Sequence, residues 1–154
     1  IRDSYRAALS RYREQAVTVL NNALNTPNGG FSEICDYFAS LSASLEQGDR
    51  RSCLASQAAI DRAQDDPQVA DIVAEIMADL RTAFASAVAV GLARGELREL
   101  PPDDLVEFLV GLQRALATMM RTATPADEIQ RYSQVSLAML ARPDQARCHS
   151  TTWT

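Results

Sequence analysis

The chain contains no lysine. All 15 of its basic residues are arginines, set against 20 acidic residues for a net charge of −5. Affinity for duplex nucleic acid comes mostly from clustered cations that neutralise phosphates, so an acidic chain of this kind does not grip DNA by itself. The local exception is the first fourteen residues, where Arg2, Arg6, Arg11 and Arg13 face Asp3 and Glu14; this reads as a solvated helix face. Histidine is nearly absent too. The one histidine, His149, sits in a polar C-terminal stretch, which leaves a Ser-His-Asp or Cys-His arrangement without a placed base. The three cysteines, Cys35, Cys53 and Cys148, are odd in number and show no C-x-x-C spacing, which argues against structural zinc and for a reducing compartment. Residues 1–20 carry charges throughout in place of an apolar signal segment, so the expected address is the cytoplasm. Apolar runs are short: Ala83 to Ala93 is broken by Ser86 and Gly91 and falls below the roughly 20 residues that cross a bilayer. No phosphate loop, dinucleotide fingerprint, H-E-x-x-H or E-x-x-H motif occurs, and the reading is of a non-enzyme that needs no cofactor or metal.

What remains is a chain of 154 residues, 47% hydrophobic and 23% charged, long enough for one domain with a real core. Alanine and leucine dominate, β-branched residues are scattered, and no alternating run suggests a strand. An all-α fold is therefore expected. Pro27, Pro67, Pro101, Pro102, Pro125 and Pro143 all fall between periodic apolar segments, where a residue without an N–H divides one helix from the next.

Six helices follow from that punctuation. The first carries Ile1, Tyr5, Leu9, Tyr12, Ala16, Leu20 and Ala23 on one stripe. Ser32 is placed to cap a second helix with Ile34, Cys35, Phe38, Leu41 and Leu45 inward, and Asp49 a short third with Leu54 and Ala58. Asp66-Pro67 starts a long fourth helix to about Arg94, with Gly95 as its left-handed stop. Pro102-Asp103-Asp104 opens a fifth, and Thr124-Pro125-Ala126-Asp127 is a capping-box-like start for a sixth bearing Ile129, Tyr132, Val135, Ser136, Met139 and Leu140. The acid pairs Asp65-Asp66 and Asp103-Asp104 are explained by capping and the helix dipole, with no acid–base chemistry required. The fifth helix is apolar on one broad side and small or apolar on much of the rest, so it asks to be covered from two directions. A second copy of the chain is the economical cover.

Tyr12, Phe38, Ile76, Leu80, Phe84 and Phe108, with Met119 and Met120, are candidates to line an apolar site between helices, where ligands of all-α proteins tend to lie. Gln57 and Gln113 are polar residues on otherwise apolar faces; they orient a ligand or bond across helices. Cys53, near the start of the third helix beside Arg50 and Arg51, has the surroundings that stabilise a thiolate, although a small buried residue is the plainer reading.

The order of these motifs resembles the C-terminal regulatory domain of TetR-family transcriptional repressors. The resemblance runs over about residues 1–142. Its most characteristic stretch goes from Asp66-Pro67-Gln68-Val69 through Gly91-Leu92-Ala93-Arg94-Gly95-Glu96-Leu97-Arg98 to Pro102-Asp103-Asp104-Leu105 and the helix containing Gln113. Arg51-Ser52-Cys53-Leu54 with Gln57 is similar to a Gly-Cys-Leu…Asn pattern of one branch, departing from it at Ser52 and Gln57. The resemblance implies that the first helix links to a helix-turn-helix head lying upstream of Ile1 and that DNA is contacted only through that head. It also implies that the last two helices, Leu105 to Ala123 and Asp127 to Ala141, form a four-helix bundle across a homodimer. Leu109, Leu112, Leu116, Met120, Tyr132, Ser136 and Met139 are the expected interface. The expectation is thus a ligand-binding and dimerisation domain over 1–142, a polar tail over 143–154, and a small apolar or aromatic effector that modulates DNA binding. A free-standing helical interaction module without DNA output is the alternative.

Overall fold

A computed structural model of the chain describes residues 2–25, 29–46 and 58–144. Among these residues the fold is all-α: α1 (Arg2–Leu24), α2 (Phe31–Glu46), α3 (58–63), α4 (Pro67–Ala93), α5 (Pro102–Arg121) and α6 (Ala126–Ala138). The only extended pairing among them is a single antiparallel bridge, Leu97 with Ala141. Arg98 N donates to Leu140 O (2.9 Å) and Arg142 N to Glu96 O (3.1 Å), tying the α4–α5 connector to the end of α6.

The helix starts show how far local chemistry decides. Asp66 has extended backbone (φ −132°, ψ 104°) and its carboxylate accepts from the N–H groups of Gln68 (3.1 Å) and Val69 (3.4 Å), with Pro67 at the first helical position. At the other end of α4, Gly95 takes φ +70°, the left-handed conformation that its missing Cβ permits. Two expected caps are replaced. Helix α2 begins at Phe31, whose ring is buried, and Ser32 falls in the first turn facing solvent. Helix α6 has Pro125 at its N-cap with no side-chain hydrogen bond. Ala123 there adopts φ 56° to reverse the chain, and the Thr124 hydroxyl turns back to lie 3.3 Å from that of Thr122. The sharp reversal, a tertiary demand, overrides the capping motif.

Helix α4 is the axis of the domain, packing against α1, α2 and α5, while α6 closes on α2 and α5. By length and composition alone α4 could cross a membrane. Here Val69, Leu80, Ala83, Phe84, Ala87, Val88 and Gly91 are buried in the protein, so its apolarity is that of a core helix. Two apolar clusters result. The larger joins α2, the second half of α4, α5 and α6 around Phe38, Phe84, Leu105, Leu109 and Leu116. The smaller lies between α1, α3 and the first half of α4, around Leu9, Ala59 and Val69. Arg6 pairs with Asp66, whereas Arg13 pairs with Glu75 and Asp79. Early residues meet early ones and late meet late, so α1 and the first half of α4 run side by side in the same direction.

Candidate functional site

The centre of the larger cluster is aromatic. Phe38 of α2 and Phe84 of α4 stack with ring centroids 5.8 Å apart, and Tyr37 meets both edge-on at 5.2 and 5.8 Å. The Tyr37 hydroxyl donates to Gln113 Oε1 (3.0 Å), joining α2 to α5 across the cluster. Gln113 therefore bonds across helices, one of the two roles its position suggested. Phe38, Leu80 and Phe84, expected to line a ligand site, lie together in the packed core, all at 4% exposure or less. Tyr12 and Ile76 are half-buried and belong to the smaller cluster instead. Phe108 stands 42% exposed on α5, at the surface. Cys53 and Gln57 lie outside the described residues. Tyr37 is the residue that sequence reasoning missed. The available signal was Gln113, since a polar group on a buried face needs a partner, and the hydroxyl beside Phe38 was the unassigned candidate.

Cys35, buried on α2, is disulfide-bonded. The spacing of the cysteines did not point to this, because such pairing is decided by proximity in the fold.

The residues assigned to the subunit interface divide into two groups. Leu109, Leu112, Leu116 and Met120 are 0–4% exposed inside the protomer, and Ser136 is 7% exposed with its hydroxyl donating to Tyr132 O (2.7 Å). Tyr132 and Met139, by contrast, are 46% and 64% exposed. Val135 (40%) stands between them at helical spacing, and Phe108 (42%) is exposed on the adjoining α5. On α5 this outer face continues through Gly111, where an added Cβ would meet nothing within 4 Å. Tyr132, Val135 and Met139 thus form an open apolar strip along α6 and its C-terminal end, and Phe108 is a further exposed apolar side chain on α5.

Ion pairs brace the helices around both features. Arg81 of α4 holds Glu107 of α5, which keeps the Glu107 carboxyl below its ordinary range and raises the guanidinium. Arg121, the last residue of α5, reaches Asp61 of α3 (2.7 Å).

This arrangement, a long central helix with an aromatic-centred cluster and outer apolar side chains on the last two helices, coincides with the region that matches a known family. Residues 30–135 match the family described as tetracyclin repressor-like, C-terminal domain. The chain belongs to that family. No curated protein and no solved structure matches the chain significantly. As a tetracyclin repressor-like C-terminal domain, the chain has a regulatory role in which ligand binding and dimerisation are the characteristic activities. The match begins at Gly30 and ends at Val135, so it takes in the aromatic trio, the axis helix, α5 and most of α6, while α1 precedes it and Met139 follows it.

Proposed function

We propose that this chain is the effector-sensing and dimerising part of a one-component transcriptional regulator. Two copies pair through α5 and α6, and a small, largely apolar molecule taken up between α1 and α5 sets the tilt of α1. A DNA-binding head attached ahead of α1 would move with it, and two heads must reach half-sites about 34–36 Å apart to hold an operator. Such control needs only that the effector bind one tilt better than the other. A preference of about 1–3 kcal/mol changes operator affinity roughly 5–150-fold. A regulator of this kind works in the cytoplasm, in line with the charged N-terminal residues. Thiols there are mostly kept reduced, so Cys35 would form its bond only under oxidising conditions.

The observation that carries the reading is the set of Phe108, Tyr132, Val135 and Met139, 40–64% exposed on the two helices of a regulatory family's domain. Large apolar side chains held at the surface by otherwise well-buried helices are what a subunit contact requires. Sedimentation at micromolar concentration is expected to give twice the 16.8 kDa chain mass. Met139→Arg, which adds a charge at the most exposed point of the strip, should move the mass to that of one chain without loss of helical signal. A monomeric parent, or a dimer indifferent to Met139→Arg and Val135→Arg, would refute the proposed interface.

A further inference from the structure

Helix α1 is seated in two different ways along its length. At its C-terminal end Leu20 and Leu24 are buried in the larger apolar cluster, with Ala23 packed against it. Its first half belongs to the smaller cluster, where Leu9 is buried but Tyr5 and Tyr12 are covered only in part. Two arginines tie that half to α4, Arg6 to Asp66 and Arg13 to Glu75 and Asp79. Ion pairs open to solvent hold weakly, and the side chains of Arg13 and Glu75 are 34% and 55% exposed. Two polar atoms of the same half, the Tyr5 hydroxyl and Arg6 Nε, are buried without a hydrogen-bond partner, so part of the desolvation cost of seating it is not returned.

Between the two halves lies Val17-Thr18-Val19, the only run of three β-branched residues in the described helices. Branching at Cβ restricts the side chain against the preceding turn and lowers helix propensity. The Thr18 hydroxyl donates to Glu14 O (3.0 Å), a bond to the carbonyl one turn back that competes with the helix ladder and favours a bend. Packing offsets neither effect, since Val19 is 62% exposed and Thr18 faces solvent. Thr82 of α4 and Thr118 of α5 make the same backward bond, but buried residues hold their helices on both sides of it, Leu80 and Phe84 in one and Leu116 and Met120 in the other.

We propose that Val17-Thr18-Val19 is a hinge within α1. The half ahead of it swings off α4 as one body, Leu20 to Leu24 stays in the core, and the pairs of Arg6 with Asp66 and of Arg13 with Asp79 and Glu75 are the catch. From Arg2 to Thr18 the helix is about 24 Å long, so a bend of about 10° displaces its first turn by about 4 Å. Once off α4, a helix of about 15 residues is marginal in water, so its amides open to solvent as a block. The hinge follows from the seating of α1 alone. Under the reading of the domain as a sensor, it makes the tilt of α1 a bend at one point with the far end fixed, in place of a rotation of the whole helix.

Residue-resolved amide hydrogen exchange of the full chain tests it. Amides from Leu9 to Ala16 should exchange at nearly one rate, about tenfold or more faster than those of Leu20 to Leu24, with the step at the hinge. Arg13→Gln should speed the first group about two- to fivefold and leave the second unchanged. The double variant Thr18→Ala/Val19→Ala, which raises helix propensity where no packing is lost, should slow the first group roughly three- to tenfold. A smooth gradient of exchange toward the N-terminus would mean fraying, and equal rates in the two groups would mean that α1 leaves as a whole. Either result would overturn the hinge, as would indifference of the first group to either variant. Subunit pairing fails separately, through a monomeric parent in sedimentation.

Discussion

Single residues at the close approaches of this fold carry more than their size suggests. Gly91 lies in α4 where the connector returns over it, and an added Cβ would meet Leu97 Cδ1 at 2.9 Å and Cγ at 3.1 Å. Leu97 is 1% exposed and has nowhere to retreat. Gly91→Ala would ordinarily favour a helix, yet here overpacking should outweigh propensity and lower stability by about 1–3 kcal/mol, read by urea unfolding. Gly95 was legible as a left-handed stop because its chemistry is local. The role of Gly91 was not, since the atoms that crowd it arrive from the following connector and from α2. The same holds for Tyr37 and Gln113, 76 positions apart, whose bond no helical periodicity could announce.

Between elements, the contact of α1 with α4 joins the smaller apolar cluster to a row of ion pairs. Asp66 caps α4 and also receives Arg6, while Arg13 Nε donates to Asp79 (2.8 Å) and another nitrogen of Arg13 pairs with Glu75. The hydrogen bond from Arg6, aided by the Val69 and Gln68 N–H groups, holds the Asp66 carboxyl below its ordinary value against the opposing effect of burial. A carboxyl depressed in the folded state stabilises at pH values above its unfolded pKa, about 3.9, and loses that contribution as the pH falls through its folded value. Asp66→Asn should therefore melt below wild type at neutral pH, and the gap should close progressively as the pH is lowered beneath about 4. Helix α5 teaches a different lesson. Its two-sided apolar character was evident from spacing, but which side meets the protomer and which faces out was not. Leu116, at 0% exposure, belongs to the core. Leu116→Arg should accordingly unfold the domain, with loss of helical circular dichroism, whereas Met139→Arg, under the proposed pairing, should leave the helical signal intact.

For the molecule as a whole, the proposed pairing through α5 and α6 would tie stability to concentration. If the apolar side chains exposed on those helices are covered by a second copy, dimers are favoured over unfolded chains by mass action, and the melting midpoint should climb as protein concentration is raised from micromolar upward. Met139→Arg should abolish that dependence; a midpoint independent of concentration in wild type would contradict the pairing. The amino-acid order alone determined the all-α class, the division at the prolines, the length of α4, and the Asp66 and Gly95 ends, because each rests on propensity, periodicity or a cap within a few residues. Tertiary structure alone decided that Ser32 and Thr124 would not cap, that Cys35 would be bonded, and which face of α5 is core. It also decided that the Tyr5 hydroxyl and Arg6 Nε would be buried without a hydrogen-bond partner. These depend on which surfaces meet across the fold, and a pattern of 3.6 residues per turn carries a helix's faces but not the identity of what each face will touch.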